Sequence, residues 1–464
     1  MTRTLSTDYL IVGTGAVGMA FADTLLSETE ADIVMVDRFA APGGHWNDAY
    51  PFVTLHQPSS FYGVASRELS RGTRDEVGLN RGMADLATGP EILAYFSAVM
   101  HERFLPSGRV RYLPMHDWDG GEACRSRLTG ETVRIEAAKT ADCTILNTSI
   151  PKTHTPNFEV EDGVRFLAPN YLPEIADAPD AYVVIGGGKT GIDTVLWLLE
   201  QGIPQARIRW ILSRDAWWLM RENTQTHPDF FDDVVSSQIT QYEALGQSGT
   251  AQDVFARLEA GGYFHRLDPE VEPQMFHGAT VSWMEAELLR TLEGVVRMGR
   301  VVRIGADNIE LQRGRIPTTP NTLHIDCSAT AIKNYTPVPV FAGDRITPQT
   351  VRPYQPVFSA SLIAYIEANY EGEADKNRLA QVVRLPDTLE DYFHFTRGAM
   401  MNQYVWSQDK ALRDWIAGNR LDGFTQLFAS ADTPERKAMV KRLRAALPMA
   451  GMRINQFIDE MANV

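Results

Sequence analysis

Asp8-Tyr9-Leu10-Ile11-Val12-Gly13-Thr14-Gly15-Ala16-Val17-Gly18 is the stretch whose reading decides the fold. A short β-branched and aromatic run ends in a glycine turn. A helical stretch through Ala20, Ala22, Leu25 and Leu26 follows, then a second apolar run, Ile33-Val34-Met35-Val36, closed by Asp37. Strand, glycine turn, helix, strand and acid are the parts of a dinucleotide-binding unit. Gly13 serves the sharp turn, Gly15 the approach of backbone to a pyrophosphate, and Gly18 the close packing of helix on strand. Ala16 and Val17 open the helix, whose unpaired N–H groups and positive dipole end face the phosphates. Asp37, 19 residues after Gly18, stands where a carboxylate accepts from a ribose diol, with Arg38 beside it.

The unit recurs. Ala181 to Ile185 reads as a strand, and Gly186-Gly187-Gly188-Lys189-Thr190-Gly191 repeats the glycine spacing before a helix from Asp193 to Glu200. The next strand, Ile208 to Leu212, ends in Ser213 and Arg214 instead of an acid. A hydroxyl and a guanidinium welcome a 2′-phosphate that a carboxylate would repel, which favours NADPH over NADH. Gly188-Lys189-Thr190 is not the end of a P-loop, because Val183 occupies the position of its first glycine. Two units with opposite end-of-strand chemistry suggest a resident FAD on the first and a visiting NADPH on the second.

The remaining composition bounds the reading. The chain has 464 residues, 44% of them hydrophobic and 22% charged, with acidic side chains (59) exceeding basic ones (44). That length suits two or three compact units. A net charge of −15 argues against nucleic acid or an anionic membrane surface as the main partner. No apolar run is long enough for a membrane span, and the start shows no charged-then-apolar leader. Cys124, Cys143 and Cys327 are too far apart for a zinc knuckle or a redox pair, and no His-x-Glu or clustered-histidine pattern offers a metal site. A cytoplasmic setting is expected. The expected fold is α/β, with two Rossmann-like dinucleotide-binding domains and a helical C-terminal region. Residues 1–175 form the first part of the FAD-binding domain. Residues 176–320 form the NADPH-binding domain, with a helical insertion over 221–278. Residues 321–464 hold the return to the FAD domain and the C-terminal helices. Ser282-x-x-Glu285 predicts a capping box, Thr433-Pro434-Glu435 a helix start, and Pro448 the end of that helix.

Gly43-Gly44-His45-Trp46 and Tyr50-Pro51, lying between the two glycine units, resemble the class B flavoprotein monooxygenases. That group comprises the flavin-containing, Baeyer–Villiger and N-hydroxylating enzymes. The resemblance covers roughly residues 8–215, and 300–335 faintly. It implies that Gly13, Gly15 and Gly18 meet the FAD pyrophosphate, Asp37 the adenosine ribose, and Gly44, His45 and Trp46 the flavin. It places Leu55-His56-Gln57-Pro58-Ser59-Ser60 near the reactive face, with His56, Gln57 and Ser59 as catalytic candidates. Asp142 to Ser149 resembles the family strand ending in Ala-Thr-Gly; Thr148 is kept, Asn147 and Ser149 depart. In the fingerprint ahead of the second unit Gly163 and Tyr171 are present, but Glu161 replaces a phenylalanine and Leu167 the histidine.

The implied activity is FAD-dependent, NADPH-reduced oxygenation of a small organic substrate by dioxygen, at nitrogen, sulfur or beside a ketone, through a C4a-peroxyflavin. The lost fingerprint histidine keeps open a flavin oxidase or dehydrogenase that releases hydrogen peroxide. A flavin reductase and a dinucleotide-sensing protein without catalysis also stay open, as does a homodimer. Two features carry double readings: Gly343-Asp344 as a flavin ribityl contact or a hairpin turn, and the aromatic Tyr392–Trp406 helix as a substrate wall or plain core.

Overall fold

The computed structural model describes residues 3–146, 148–330 and 336–462; Asn147 lies outside them. The first glycine unit builds a parallel sheet from β1 (Arg3–Val12), β2 (Ile33–Val36), β3 (Val110–Leu113) and β4 (Thr132–Asp142), in the order β4-β1-β2-β3, with α1 (Ala16–Glu28) after the glycine turn. Successive residues of a strand point to opposite faces. Ile11, Ile33 and Met35 therefore enter the core shared with α1, while Leu10, Val12, Val34 and Val36 enter a second core on the other face.

The second unit repeats the plan. Strands β5 (Phe166–Leu167), β6 (Ala181–Ile185), β7 (Ile208–Ile211), β8 (Val295–Val296) and β9 (Thr322–Asp326) form an all-parallel sheet in the order β5-β9-β6-β7-β8, with α2 (Lys189–Glu200) after its glycine turn. Tyr182 and Val184 face the core beneath α2; Val183 and Ile185 face the antiparallel layer over 301–317. Two strands, β5 and β9, thus fall in the second sheet although the sequence-level boundaries at 175 and 320 placed them in FAD-domain segments.

The duplication extends to a detail outside the glycine pattern. β4 ends in Asp142-Cys143-Thr144 and β9 in Asp326-Cys327-Ser328. Cys143 N donates to Val12 O (3.0 Å) and Cys327 N to Ile185 O (2.9 Å). Thr144 N and Oγ1 donate to Asp142 Oδ1 (3.1 and 2.6 Å), as Ser328 N and Oγ do to Asp326 Oδ1 (2.9 and 2.5 Å). Each Asp shapes the turn next to its own glycine loop.

The insertion holds α3 (Phe231–Gln247) and α4 (Ala251–Ala260), flanked by short strands at Trp218–Met220, Phe264–His265 and Thr280–Val281. The expected capping box at Ser282 and Glu285 starts the helix Trp283–Arg290. The chain then returns to the first sheet through the hairpin β10 (Phe341–Ala342) and β11 (Arg345–Ile346), with β11 parallel to β4. Gly343 and Asp344 form its exposed two-residue turn, so the hairpin is the reading that fits.

α5 (Pro356–Asn369) packs on α1, where Ser361 and Thr24 hydroxyls meet at 2.7 Å. α6 (Leu389–Gln408) sends Tyr392 and Phe393 into the core of the insertion and Trp406 into that of the first unit, while Tyr404 is exposed. Its aromatics divide between two cores and do not line one cavity. α7 (Pro434–Ala462) runs through Pro448, correcting the expected end there. Proline removes one intrahelical hydrogen bond, but Leu443 before it and Ala450, Ile454 and Phe457 after it are all buried, and their packing carries the helix across. No helix among the described residues is long and apolar enough to cross a membrane.

Candidate functional site

Both glycine turns take the same shape. Gly13 (φ +92°) and Gly186 (φ +128°) adopt backbone that side chains resist. A Cβ on Gly18 would stand 1.9 Å from Gly13 O, and one on Gly191 2.1 Å from Gly186 O, so each helix touches its strand loop at a point only glycine allows. Gly15 and Gly188 cap α1 and α2 in matching extended conformations without a capping side chain. The first-turn N–H groups at Ala16, Val17, Lys189 and Thr190 therefore stay available to an anion.

The acid of the first unit is spent partly on its own loop. Asp37, 6% exposed, accepts from Thr14 N (2.5 Å), Thr14 Oγ1 (2.8 Å) and Phe39 N (2.8 Å). The phenol oxygen of Tyr112 is buried beside Thr14 and Asp37, and burial raises its pKa to about 12 while Thr14 pulls it the other way. The glycine cradle, which a Cβ at Gly18 would fill, fits the pyrophosphate of a dinucleotide such as FAD. Arg38 is exposed, its guanidinium 5.1 Å above the Phe39 ring.

Gly43-Gly44-His45-Trp46 packs against this cradle. Gly43 N donates to Thr14 O (2.8 Å), and a Cβ on Gly44 would stand 2.8 Å from Gly15 Cα. Trp46 is anchored in the first core and donates Nε1–H to Tyr62 Oη (2.9 Å). His45 stacks on it and opens to solvent. Protein walls around His45 desolvate the imidazolium and push its pKa down to about 4.

Where the two units meet, side chains from both converge on Asp193 of α2. Tyr50 Oη donates to Asp193 Oδ2 (2.6 Å), Lys189 pairs with Asp193 Oδ1, and His56 Nε2 stands 3.8 Å from Oδ2. Burial alone would raise the Asp193 pKa, but Lys189 and His56 hold the carboxylate well below the usual range. Burial and then Lys189 push the His56 pKa down, and burial with Asp193 raises that of Tyr50. The junction thus holds an anionic Asp193, a neutral His56 and a protonated Tyr50. Phe52 stacks on Trp197 (4.9 Å between centroids) and seals its flank.

A buried ion pair pins the His56 loop. Arg221, 1% exposed, donates Nη2–H to both Glu285 oxygens (2.9 and 2.8 Å) and Nε–H to His56 O (3.1 Å). Glu285 Oε2 also accepts from Ser282 N (2.7 Å), so the capping box and the clamp share one carboxylate. Tyr50, Asp193, Arg221 and Glu285 were not among the sequence candidates. Asp193 carries a visible signal, standing one helical turn after Lys189 on the same face. Arg221 and Glu285 meet only through the insertion.

Of the catalytic candidates, His56 reaches the junction. Gln57 is half-buried and makes no side-chain hydrogen bond among the described residues. Ser59 leaves the set: it is fully buried, donating to Asp85 O (2.9 Å) and accepting from Ala87 N (2.7 Å), so its hydroxyl pins two loops together and reaches no solvent. At the second cradle Ser213 is exposed, and the Arg214 carbonyl lies 3.3 Å from where a Gly187 Cβ would stand. The Arg214 guanidinium donates to Asp387 Oδ1 (3.2 Å), which also meets His277 Nε2. Leu167, in the place of the fingerprint histidine, pairs with Ile325 in the sheet and packs on the second core.

No family model matches the chain. An uncharacterized protein of Mycobacterium tuberculosis H37Rv is 41% identical over 459 residues, covering 98% of this chain and 85% of its own. An uncharacterized protein of Mycobacterium bovis matches to the same extent. Among solved structures, cyclohexanone monooxygenase in its open crystal form gives a TM-score of 0.50 at 13% identity, over 96% of this chain and 99% of that one. A flavin-containing monooxygenase from Stenotrophomonas maltophilia gives 0.42 at 14% identity, over 87% and 100%. The chain belongs to the family of these mycobacterial proteins, and its fold is that of the class B flavoprotein monooxygenases.

Proposed function

We propose that the chain is an FAD-dependent monooxygenase, reduced by NADPH, that oxygenates a small organic molecule with dioxygen. The observation that carries this reading is the junction. Groups of the first unit (Tyr50, His56) and of the second (Lys189, Asp193) meet beside two cradles of like shape. An enzyme that passes a hydride between two dinucleotides needs its two sites to face one space.

Bound flavin would supply the acceptor for the nicotinamide hydride and the centre at which dioxygen is activated. This chain's residues do the rest. The Gly13–Gly18 loop and the N-terminus of α1 would hold the FAD pyrophosphate, and the remaining capacity of Asp37 the ribose. The Gly186–Gly191 loop and α2 hold the NADPH pyrophosphate, and Arg214 its 2′-phosphate. Lys189 and Tyr50 fix Asp193, and Asp193 orients His56. A neutral His56 can take a proton at Nε2 or, in its other tautomer, give one. The Arg221–Glu285 clamp holds the His56 loop in place, and the His56 side chain, 40% exposed, can exchange that proton with solvent.

A second reading has a specific observation behind it. Leu167 is an apolar strand residue where the monooxygenase pattern has a histidine, which favours an oxidase that releases hydrogen peroxide. One experiment separates the two. The purified yellow protein is reduced with NADPH without air, then mixed with oxygen, and peroxide is measured with and without amine, sulfide and ketone panels. Peroxide that falls as an oxygenated product rises supports the monooxygenase. Stoichiometric peroxide with every panel supports the oxidase. A protein that takes up no FAD removes both.

A further inference from the structure

The second cradle carries an acid that the dinucleotide pattern does not include. Asp387 comes from the segment before α6, about 170 residues beyond Arg214, yet its Oδ1 accepts from Arg214 Nη2 (3.2 Å) and meets His277 Nε2 from the insertion. The backbone holds it as firmly: Asp387 N donates to Asp391 Oδ2 (3.0 Å) and its carbonyl accepts from Phe276 N (3.4 Å). The Arg214 backbone lies beside the glycine turn, its carbonyl 3.3 Å from where a Gly187 Cβ would stand. The neighbouring acid, Asp215, turns to Arg297 (3.0 Å), and Arg214 pairs with Asp387. All three members of the cluster keep partial exposure, 33% for the Arg214 side chain, 25% for His277 and 44% for Asp387.

Resting on NADPH at the second cradle, we infer that Asp387 is a tethered competitor of the 2′-phosphate for Arg214 and sets the discrimination between the two nicotinamides. A guanidinium paired with a carboxylate offers a phosphate less net positive charge and fewer donors, and the carboxylate stays nearby as a like charge. His277 offers Asp387 a second partner, so the exchange strands no buried charge. Arg214 alone would give a strong preference for NADPH; Arg214 with Asp387 gives a reduced one. The C-terminal region thereby helps to set the cofactor preference of a domain to which it does not belong.

The test is binding of adenosine 2′,5′-bisphosphate and adenosine 5′-monophosphate to the full-length FAD-loaded protein, by calorimetry, with no turnover required. Asp387→Asn keeps the side-chain shape and is expected to tighten the bisphosphate about fivefold while leaving the monophosphate unchanged. Asp387→Ala should move the ratio the same way. In an Arg214→Gln background, Asp387→Asn should tighten the bisphosphate clearly less than in the wild type, because only the like-charge repulsion is left to relieve. If both nucleotides bind and Asp387→Asn leaves their ratio unchanged or lowers it, the competitor role is wrong while the cradle stands. If neither binds the wild-type protein, or Gly191→Ala weakens neither, the cradle assignment fails and this inference with it.

Discussion

Gly18→Ala and Gly191→Ala put the same methyl group into equivalent places, and the account predicts unlike consequences. In each the new Cβ would stand about half a normal contact distance from a carbonyl oxygen, 1.9 Å from Gly13 O or 2.1 Å from Gly186 O. Backbone cannot rotate away as a side chain can, so the helix must lift off its strand by more than an ångström. Overpacking of this kind costs about 1–3 kcal/mol. It also moves the helix N-terminus proposed to hold the pyrophosphate. At about 1.4 kcal/mol per tenfold, the affected dinucleotide should bind about tenfold to a hundredfold more weakly. Gly18→Ala should yield protein that loses FAD on gel filtration and regains it only with excess cofactor. Gly191→Ala should stay yellow but need far more NADPH for anaerobic bleaching. Both are measured by the flavin absorbance ratio after purification and by NADPH titration. Refutation is clear: Gly18→Ala retaining FAD as firmly as wild type, or Gly191→Ala shedding FAD while its NADPH titration is unchanged, breaks the assignment of guests to cradles.

Four further outcomes are expected. Arg221→Ala should destabilise the protein by about 3 kcal/mol, the lower part of the range for breaking a buried pair, since Glu285 keeps its bond from Ser282 N; urea unfolding measures it. Asp193→Asn should keep FAD but slow its reduction by NADPH about tenfold in stopped flow, through lost orientation of Lys189, Tyr50 and His56. Ser59→Ala should cost about 1–3 kcal/mol of stability for the two loops it joins, leaving turnover at permissive temperature unchanged. Stability should fall as pH drops below about 6.5. There the unfolded chain protonates His45 and His56, whose folded pKa values lie lower, so unfolding takes up protons. Thermal melts from pH 7.5 to 5 should show this slope, and His56→Gln should flatten it.

Much of this was legible in the sequence for a physical reason. A glycine turn between a strand and a helix is a local constraint, and local constraints are written in neighbouring residues. Gly13 to Gly18 and Gly186 to Gly191 therefore marked both cradles, and Ser282 with Glu285 marked a helix start. The repeated Asp142-Cys143-Thr144 and Asp326-Cys327-Ser328 turns were equally local and could have been read as the ends of equivalent strands. What could not be read is long-range. Arg221 and Glu285 are 64 residues apart, and Arg214 and Asp387 173. Nothing beside either partner announces the other. Ser59 misled because a polar residue in a loop near a flavin motif looks available, whereas its burial is set by Asp85 and Ala87 from another segment. Pro448 misled because its local cost is outweighed by the packing of the helix on either side.

On the proposed assignment one cradle would keep a flavin that the other cradle's guest reduces. Anaerobic stopped-flow mixing of the purified yellow protein with NADPH, followed at the oxidised flavin band, tests this. Saturable, first-order bleaching is expected, shifted by Gly191→Ala to higher NADPH concentration. Flavin that stays oxidised under saturating NADPH and NADH, in protein that retains its FAD, would contradict it.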